Sequence, residues 1–125
     1  MNVEDVYIVV AEGARACVAF AVRPDGSVPA QEHIESLEKS DQNKLIYLFK
    51  RFAVSGEFTD RTRFKKLDGD LYEFKSGQQR ISCYRHGNLW FLLHGFTKKQ
   101  DNWPKGQLEQ AKNLLWEHSS RLPRR

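Results

Sequence analysis

The chain has 125 residues, of which 40% are hydrophobic and 29% charged, a composition typical of one globular domain and too short for two. No apolar run has the length of a membrane span, and the N-terminal stretch MNVEDVYIVV has acids where a signal peptide needs bases. The sequence therefore predicts a single cytoplasmic domain over residues 1–125 that does not contact a membrane.

The first half of the chain predicts a β-hairpin followed by two helices. β-rich runs at Val6–Val10 and Cys17–Val22 flank a Glu-Gly-Ala turn, as in a hairpin. Pro29 opens a helix with apolar residues on one face, and a second helix with the same spacing ends at Gly56. The two helices are nearly continuous, so we expect them to pack together as a pair.

The second half predicts a strand meander and a last helix. Leu71–Lys75, Gln79–Arg85 and Leu89–Phe96 are β-rich and joined by short turns, whereas Phe64–Leu67 is either a strand or part of a loop. A helix follows Pro104. The expected fold is α+β: a small antiparallel sheet with an N-terminal hairpin, a helical pair on one face and a C-terminal helix. The opposite face has too little chain to cover it fully and should be open and partly solvated.

Charge is concentrated in the strand-rich part of the chain. The net charge is +4, and residues 60–100 hold nine Lys or Arg against four Asp or Glu. A polyanion site requires such an excess, although a solvated basic face is the more common reason for it. The candidates for holding RNA in this segment are Lys65, Lys66, Arg85, Lys98 and Lys99.

Side-chain alternation along the strands selects candidates for catalysis. On the strand at 79–85, Ile81 and Cys83 point to the core, so Arg80 and Tyr84 should face the open surface. The same alternation predicts that His94 shares a face with Trp90, Leu92 and Phe96. We expect Arg80, Tyr84 and His94 to border one concave open surface, with Lys65, Lys66 and Lys98 at its rim.

Cutting RNA with side chains alone requires a base for the ribose 2′-hydroxyl, an acid for the leaving oxygen and cations for the phosphate charge. His94 can transfer protons because the ordinary histidine pKa is about 6.5. Arg80 offers a planar fork to phosphate, Tyr84 can stack on a base, and Lys75 adds a charge beside them. No HxH, HExxH or paired-carboxylate spacing occurs, so the sequence predicts no metal and no cofactor.

Each of these residues also has a structural interpretation. A single histidine among Leu92, Leu93 and Phe96 is more often a hydrogen-bonded core residue than a catalyst. Tyr84 can equally be a packing residue, and surface charges such as Arg80 are more often simply solvated.

The strand-rich segment resembles the HigB-like branch of the RelE/ParE toxin superfamily. The resemblance is carried by LYEFK at 71–75, QRI at 79–81 and LLHGFTKK at 92–99, followed by Pro104 and a helix. It covers roughly residues 60–115, and the HGFxKK element is its most specific part. Two positions depart from the pattern: Lys75 stands where relatives usually have arginine, and Gln79 replaces an aromatic residue.

The resemblance implies the toxin of a type II toxin–antitoxin pair. Such toxins are usually endoribonucleases that cut mRNA, free or on the ribosome, and are neutralised by an antitoxin that is commonly a helix-turn-helix protein. By position, Arg80, His94, Lys98 and Lys99 match the residues that the family uses. Two alternatives remain open: a ParE-like inhibitor of DNA gyrase without catalysis, and a non-toxic domain that binds RNA or a partner.

Overall fold

The structure, a computed structural model, describes residues 6–56, 61–99 and 102–123. The described residues form six strands and three helices of an α+β fold, as the sequence predicted. In chain order they are β1 (Tyr7–Glu12), β2 (Cys17–Ala21), α1 (Pro29–Glu35), α2 (Lys39–Ser55), β3 (Phe64–Asp68), β4 (Leu71–Ser76), β5 (Gln79–His86), β6 (Leu89–Thr97) and α3 (Lys105–Ser119). None of these helices is long and apolar enough to cross a membrane.

All six strands form one sheet in the order β1-β2-β6-β5-β4-β3. The strands β3 to β6 pair as an antiparallel meander, and β1 pairs with β2 as the expected hairpin. The hairpin joins the meander through a parallel pair between β2 and β6. This one parallel pair departs from the expected antiparallel sheet, because alternation within a strand does not identify its neighbour.

The helical pair packs on one face of the sheet, as predicted. Its apolar stripe, with Ile34 on α1 and Phe49 and Phe52 on α2, lies against Phe74 and Leu92 of the sheet. Ring pairs within about 5 Å join Phe52 to its neighbours in this core. The helix α2 ends at Gly56, whose φ of 79° suits a residue without a side chain.

The opposite face is covered by α3, a contact that the sequence pattern did not predict. Ala111 and Leu114 of α3 pack on Ala19, Phe91 and Leu93 to form a second core. The prediction of an open face is therefore wrong for the centre of the sheet. With 15 residues, α3 extends about 22 Å and can cross several strands spaced roughly 4.8 Å apart.

A β-bulge in β6 changes which residues share a face. Ser82 lies opposite His94, whereas the next residue, Cys83, lies opposite Leu92. The extra residue, Leu93, reverses the alternation along the strand. Leu92 therefore faces the helical pair and His94 faces α3, so the prediction that Trp90, Leu92, His94 and Phe96 share one face is wrong.

Gly95, the glycine of the HGFxKK element, allows α1 to lie close to β6. A Cβ atom at this position would lie 2.5 Å from Ile81 Cδ1 and 2.7 Å from His33 Cδ2. The His33 ring continues past Gly95 and its Nε2 atom lies 2.7 Å from Gln79 Oε1. The residues at 79 and 95 thus determine how α1 docks on the sheet.

Candidate nucleic-acid interface

Four positively charged side chains meet at one edge of the α3 face of the sheet. The strand register places Lys65 opposite Glu73 and Lys75 opposite Arg80, so these side chains point to the same side. Lys98, just after β6, acts electrostatically on Lys75 together with Lys65 and Arg80. We call Lys65, Lys75, Arg80 and Lys98 the cationic cluster.

The buried carboxylate of Glu73 lies beneath this cluster. Only 1% of Glu73 is exposed, its Oε1 atom accepts a hydrogen bond of 3.1 Å from Trp103 Nε1, and the same atom lies 3.5 Å from Arg80 Nε. Its Oε2 atom lies 4.0 Å from Lys65 Nζ and accepts no hydrogen bond from the described residues. A buried carboxylate is costly without partners, so Glu73 fixes the positions of the cations around it.

Glu73 was not singled out by the sequence analysis. The signal available in the sequence was that Glu73 shares a strand face with Leu71 and Lys75. That position places Glu73 beside the cations once the strands are paired. A single acidic residue within a basic segment does not otherwise indicate burial.

Arg80 is held in one orientation by the turn that precedes it. Its Nη1 atom donates hydrogen bonds to the carbonyl oxygens of Gly77, at 2.7 Å, and of Gln79, at 2.9 Å. Together with the ion pair to Glu73, these contacts leave 11% of the side chain exposed. A guanidinium fixed in this way is preorganised to receive a phosphate oxygen.

The pKa of the Lys75 amine is lowered by its surroundings. Partial burial lowers the pKa of its amine, and the neighbouring charges of Lys65, Arg80 and Lys98 lower the pKa further, while Glu73 opposes the shift. Lys75 therefore has a larger fraction of neutral amine near neutral pH than an ordinary lysine.

His94 lies on the same sheet face as Arg80, but it is buried. Its Nε2 atom lies 3.0 Å from Gln107 Oε1, an oxygen that can only accept, so Nε2 carries the proton. Ser82 Oγ, 2.6 Å away, then donates to Nδ1. Burial lowers the pKa of His94 to about 4. The prediction that His94 borders an open surface is wrong, because α3 and Trp103 cover it.

Tyr84 is also buried, because α3 lies over its part of the sheet. Its hydroxyl donates a hydrogen bond of 2.5 Å to His118 Nδ1, and His118 Nε2 donates to the Val6 carbonyl oxygen at 2.9 Å. Burial raises the pKa of the Tyr84 hydroxyl and lowers that of His118. The prediction that Tyr84 faces an open surface is therefore wrong.

The remaining candidates for RNA binding are not all close to the cluster. Lys66 is exposed and points to the opposite face from its neighbour Lys65, and Arg85 lies at the far end of β5, where its Nε donates to the Gly87 carbonyl. Lys99 is exposed and directly follows Lys98. The structure thus brings together four of the seven predicted cations, Lys65, Lys75, Arg80 and Lys98.

Within residues 6–56, 61–99 and 102–123, no group of three or more His, Cys, Asp or Glu side chains is arranged to hold a metal ion.

Comparison with known proteins identifies a family. The model of the phage-derived Gp49-like protein family (DUF891) matches residues 32–115, more than half of the chain. This family is toxin-like and related to RelE and ParE. The matched range contains the whole cationic cluster and leaves β1 and β2 outside. None of the curated proteins compared with the chain matches it significantly.

Proposed function

The chain belongs to the Gp49-like family of phage-derived proteins, and from this premise we propose that it is the toxin of a toxin–antitoxin pair and cuts mRNA. The family supports the toxin role and an antitoxin partner. The observation that carries the nuclease proposal is the cationic cluster, in which Lys65 and Arg80 lie against the buried carboxylate of Glu73 and Lys75 and Lys98 lie beside them at an accessible edge of the sheet. Such a site suits a phosphodiester whose charge grows during cleavage.

The proposed reaction is transfer of the phosphate to the neighbouring ribose oxygen. The neutral amine of Lys75 takes the proton of the 2′-hydroxyl, and the 2′-oxygen attacks phosphorus. Arg80 stabilises the extra negative charge, and the bond to the 5′-oxygen breaks as that oxygen receives a proton from the Lys65 or Lys98 ammonium group. The products are a 2′,3′-cyclic phosphate and a 5′-hydroxyl end.

The geometry favours Lys75 over His94 as the proton acceptor. Both ring nitrogens of His94 already have hydrogen-bond partners, and the ring lies under Trp103. Lys75 is partly exposed, lies beside Arg80 and has a lowered pKa. In this proposal His94 ties α3 to the sheet through Gln107, and Tyr84 ties it through His118.

We further propose that the antitoxin, a small helix-turn-helix protein, covers the cationic cluster with acidic residues. Oppositely charged surfaces speed the association of two proteins and fix their relative orientation, and the cluster offers several cations over a small area. RNA and antitoxin should then compete for the toxin. Simultaneous binding of both, measured by fluorescence anisotropy with labelled RNA, would contradict this arrangement.

Mapping of RNA 5′ ends after induction of the protein in cells tests the proposed function. The proposal predicts new 5′ ends within coding regions, and these ends should disappear with the Arg80→Gln variant. A ParE-like inhibitor of gyrase would instead produce DNA damage without new RNA ends. That result would exclude the nuclease proposal, provided that the induced protein is folded and stops growth.

A further inference from the structure

A cleft between α2 and the β4–β5 turn is lined by an aromatic side chain, Tyr47, that is not part of the buried core. The cleft has a volume of about 370 Å³ and is lined by Tyr47, Lys44 and Leu48 of α2, by Arg63 before β3, and by Lys75 of β4. Pockets for small ligands begin at about 300 Å³, so this volume suits a single nucleotide. A second hollow of about 280 Å³ also borders Lys44 and continues toward Thr97.

Tyr47 is exposed over 59% of its surface although it belongs to a well-packed helix. Arg51, one turn later, lies over its ring at 5.8 Å from the ring centre, and Arg51 Nη1 donates a hydrogen bond of 3.2 Å to the Tyr47 hydroxyl. These two contacts hold the ring at the cleft without burying it. A fixed and exposed aromatic ring beside cations is a stacking platform for a base of single-stranded nucleic acid.

Lys75 lies at the end of the sheet where this cleft and the proposed cleavage site adjoin. It lines the cleft, and it interacts electrostatically with Lys65, Arg80 and Lys98. Lys44 and Arg63 add positive charge along the cleft wall, and Asp41 is the one carboxylate among the described residues that line either hollow. The cleft lies on the α2 side of the sheet and the cationic cluster on the α3 side, so a nucleotide in the cleft would have its phosphate beside Lys44, and the RNA strand would continue around this end of the sheet to the cluster.

We propose that the cleft is a base-binding subsite, in which one unstacked base of the RNA substrate stacks on Tyr47 while the strand continues around the end of the sheet to Lys75 and the cationic cluster. This subsite rests on the proposed RNA cleavage and specifies its substrate as single-stranded RNA. A base within a duplex is stacked on its neighbours and cannot lie against the ring. The hydrophobic floor formed by Leu48 accommodates the apolar edge of a base.

Binding of a non-cleavable RNA tests the subsite. The probe is a single-stranded 2′-O-methyl heptanucleotide that contains 2-aminopurine, a base whose fluorescence is quenched by stacking. Base–aromatic stacking predicts that Tyr47→Ala weakens binding by about 5- to 150-fold and removes the quenching. Tyr47→Phe keeps the ring and should bind and quench like the wild-type protein.

Trp116→Ala is the matched control, because Trp116 is 72% exposed and lies on α3, across the sheet from the cleft. It should bind the probe normally. Normal binding by Tyr47→Ala, or equal weakening in Tyr47→Phe, would overturn the subsite while leaving the proposed function intact. A wild-type protein that cleaves RNA but does not bind the probe would also overturn the subsite alone, whereas a wild-type protein that does not cleave RNA would overturn both, because the subsite rests on cleavage.

Discussion

Lys75 and His94 are both titratable, and burial lowers the pKa of each, but their surroundings give them different chemistry. Lys75 is partly exposed among cations, where a neutral amine can reach a bound phosphodiester. His94 is enclosed between Ser82, Gln107 and Trp103, where it stays neutral and its ring is held in place. Access to the phosphate decides between them, because a proton-transfer group must lie within hydrogen-bond reach of its target.

Substitution of the two residues should therefore give opposite results in a cleavage assay. Lys75→Met keeps the length of the side chain but removes the amine, and we expect it to lower the rate of RNA cleavage about 10²- to 10⁴-fold. His94→Gln retains a polar side chain under Trp103 and should cleave within about tenfold of the wild-type rate. Both variants are compared by circular dichroism before the assay. Loss of activity in a folded His94→Gln protein, with Lys75→Met active, would assign proton transfer to His94.

The low pKa of His94, about 4, predicts acid sensitivity of the fold. In the unfolded chain the histidine pKa is about 6.5, so between these values the unfolded state binds more protons and the free energy of unfolding decreases as the pH falls. Integrated over that interval, the loss due to His94 is about 3 kcal/mol, since each pKa unit corresponds to roughly 1.36 kcal/mol. Urea titrations from pH 7 to 4 should show this slope, and His94→Gln should reduce it. Equal slopes in both proteins would show that His94 is not buried as a neutral ring.

Strand alternation in the sequence indicated the sheet face of a side chain, but it did not indicate whether that side chain is exposed or buried. Arg80 lies on the sheet face opposite the helical pair, as predicted, because Ile81 identifies the core side of its strand. The burial of Tyr84 and His94 depends on the packing of α3, a contact between distant parts of the chain that strand alternation does not encode. Glu73 was missed for the same reason, since its burial depends on Trp103.

At the scale of elements, the N-terminal hairpin docks against the end of α2 through a glycine. The backbone N–H groups of Arg15 and Ala16 both donate to the Ala53 carbonyl oxygen at 3.0 Å. A Cβ atom on Gly13 would lie 2.6 Å from the backbone of Ala53, so no larger residue fits without displacing the helix or the hairpin. The hairpin is thus anchored both by the parallel β2–β6 pair and by α2.

Gly13→Ala should therefore destabilise the protein by about 1–3 kcal/mol, the usual cost of overpacking a close contact. Gly106→Ala is the matched control, because a Cβ there meets nothing within 4 Å. Since Gly106 lies in α3, alanine should stabilise that helix by up to about 1 kcal/mol. Thermal unfolding of the two variants measures both effects. A Gly13→Ala protein as stable as the wild type would mean that the hairpin does not dock on α2.

The order of elements was predictable because each strand and helix has a strong local pattern and short turns join the meander. Two features required information from outside the element. The bulge at Leu93 adds one residue to β6 only when β5 lies beside it, and the pairing of β2 with β6 joins strands that are far apart in the sequence. Both are properties of strand pairing rather than of local propensity.

At the scale of the whole molecule, the charge is distributed unevenly. The cationic cluster lies at one end of β4 and β5, whereas Arg85 lies about 16 Å away along β5, at roughly 3.3 Å per residue. This separation exceeds the Debye length of about 8 Å at physiological ionic strength. A phosphate bound at the cluster should therefore be insensitive to the charge of Arg85.

Salt titration of RNA binding tests this distribution. Each phosphate contact in single-stranded RNA contributes about 0.7 to the slope of log K against log salt concentration. Lys98→Ala removes one cation of the cluster and should reduce the slope by about that amount. Arg85→Ala, which changes the net charge equally, should leave the slope unchanged. Equal effects of both substitutions would indicate diffuse binding over the basic segment instead of a defined site.

The most direct test of the central claim is cleavage of a defined mRNA by the purified protein, with and without ribosomes, followed by analysis of the RNA ends. We expect 2′,3′-cyclic phosphate and 5′-hydroxyl ends from the wild-type protein, and a rate about 10²- to 10³-fold lower for Arg80→Gln. Arg85→Ala, the matched control, should cleave at the wild-type rate. Intact RNA after incubation with folded wild-type protein under both conditions, or undiminished cleavage by Arg80→Gln, would contradict the assignment of the cationic cluster as a nuclease site.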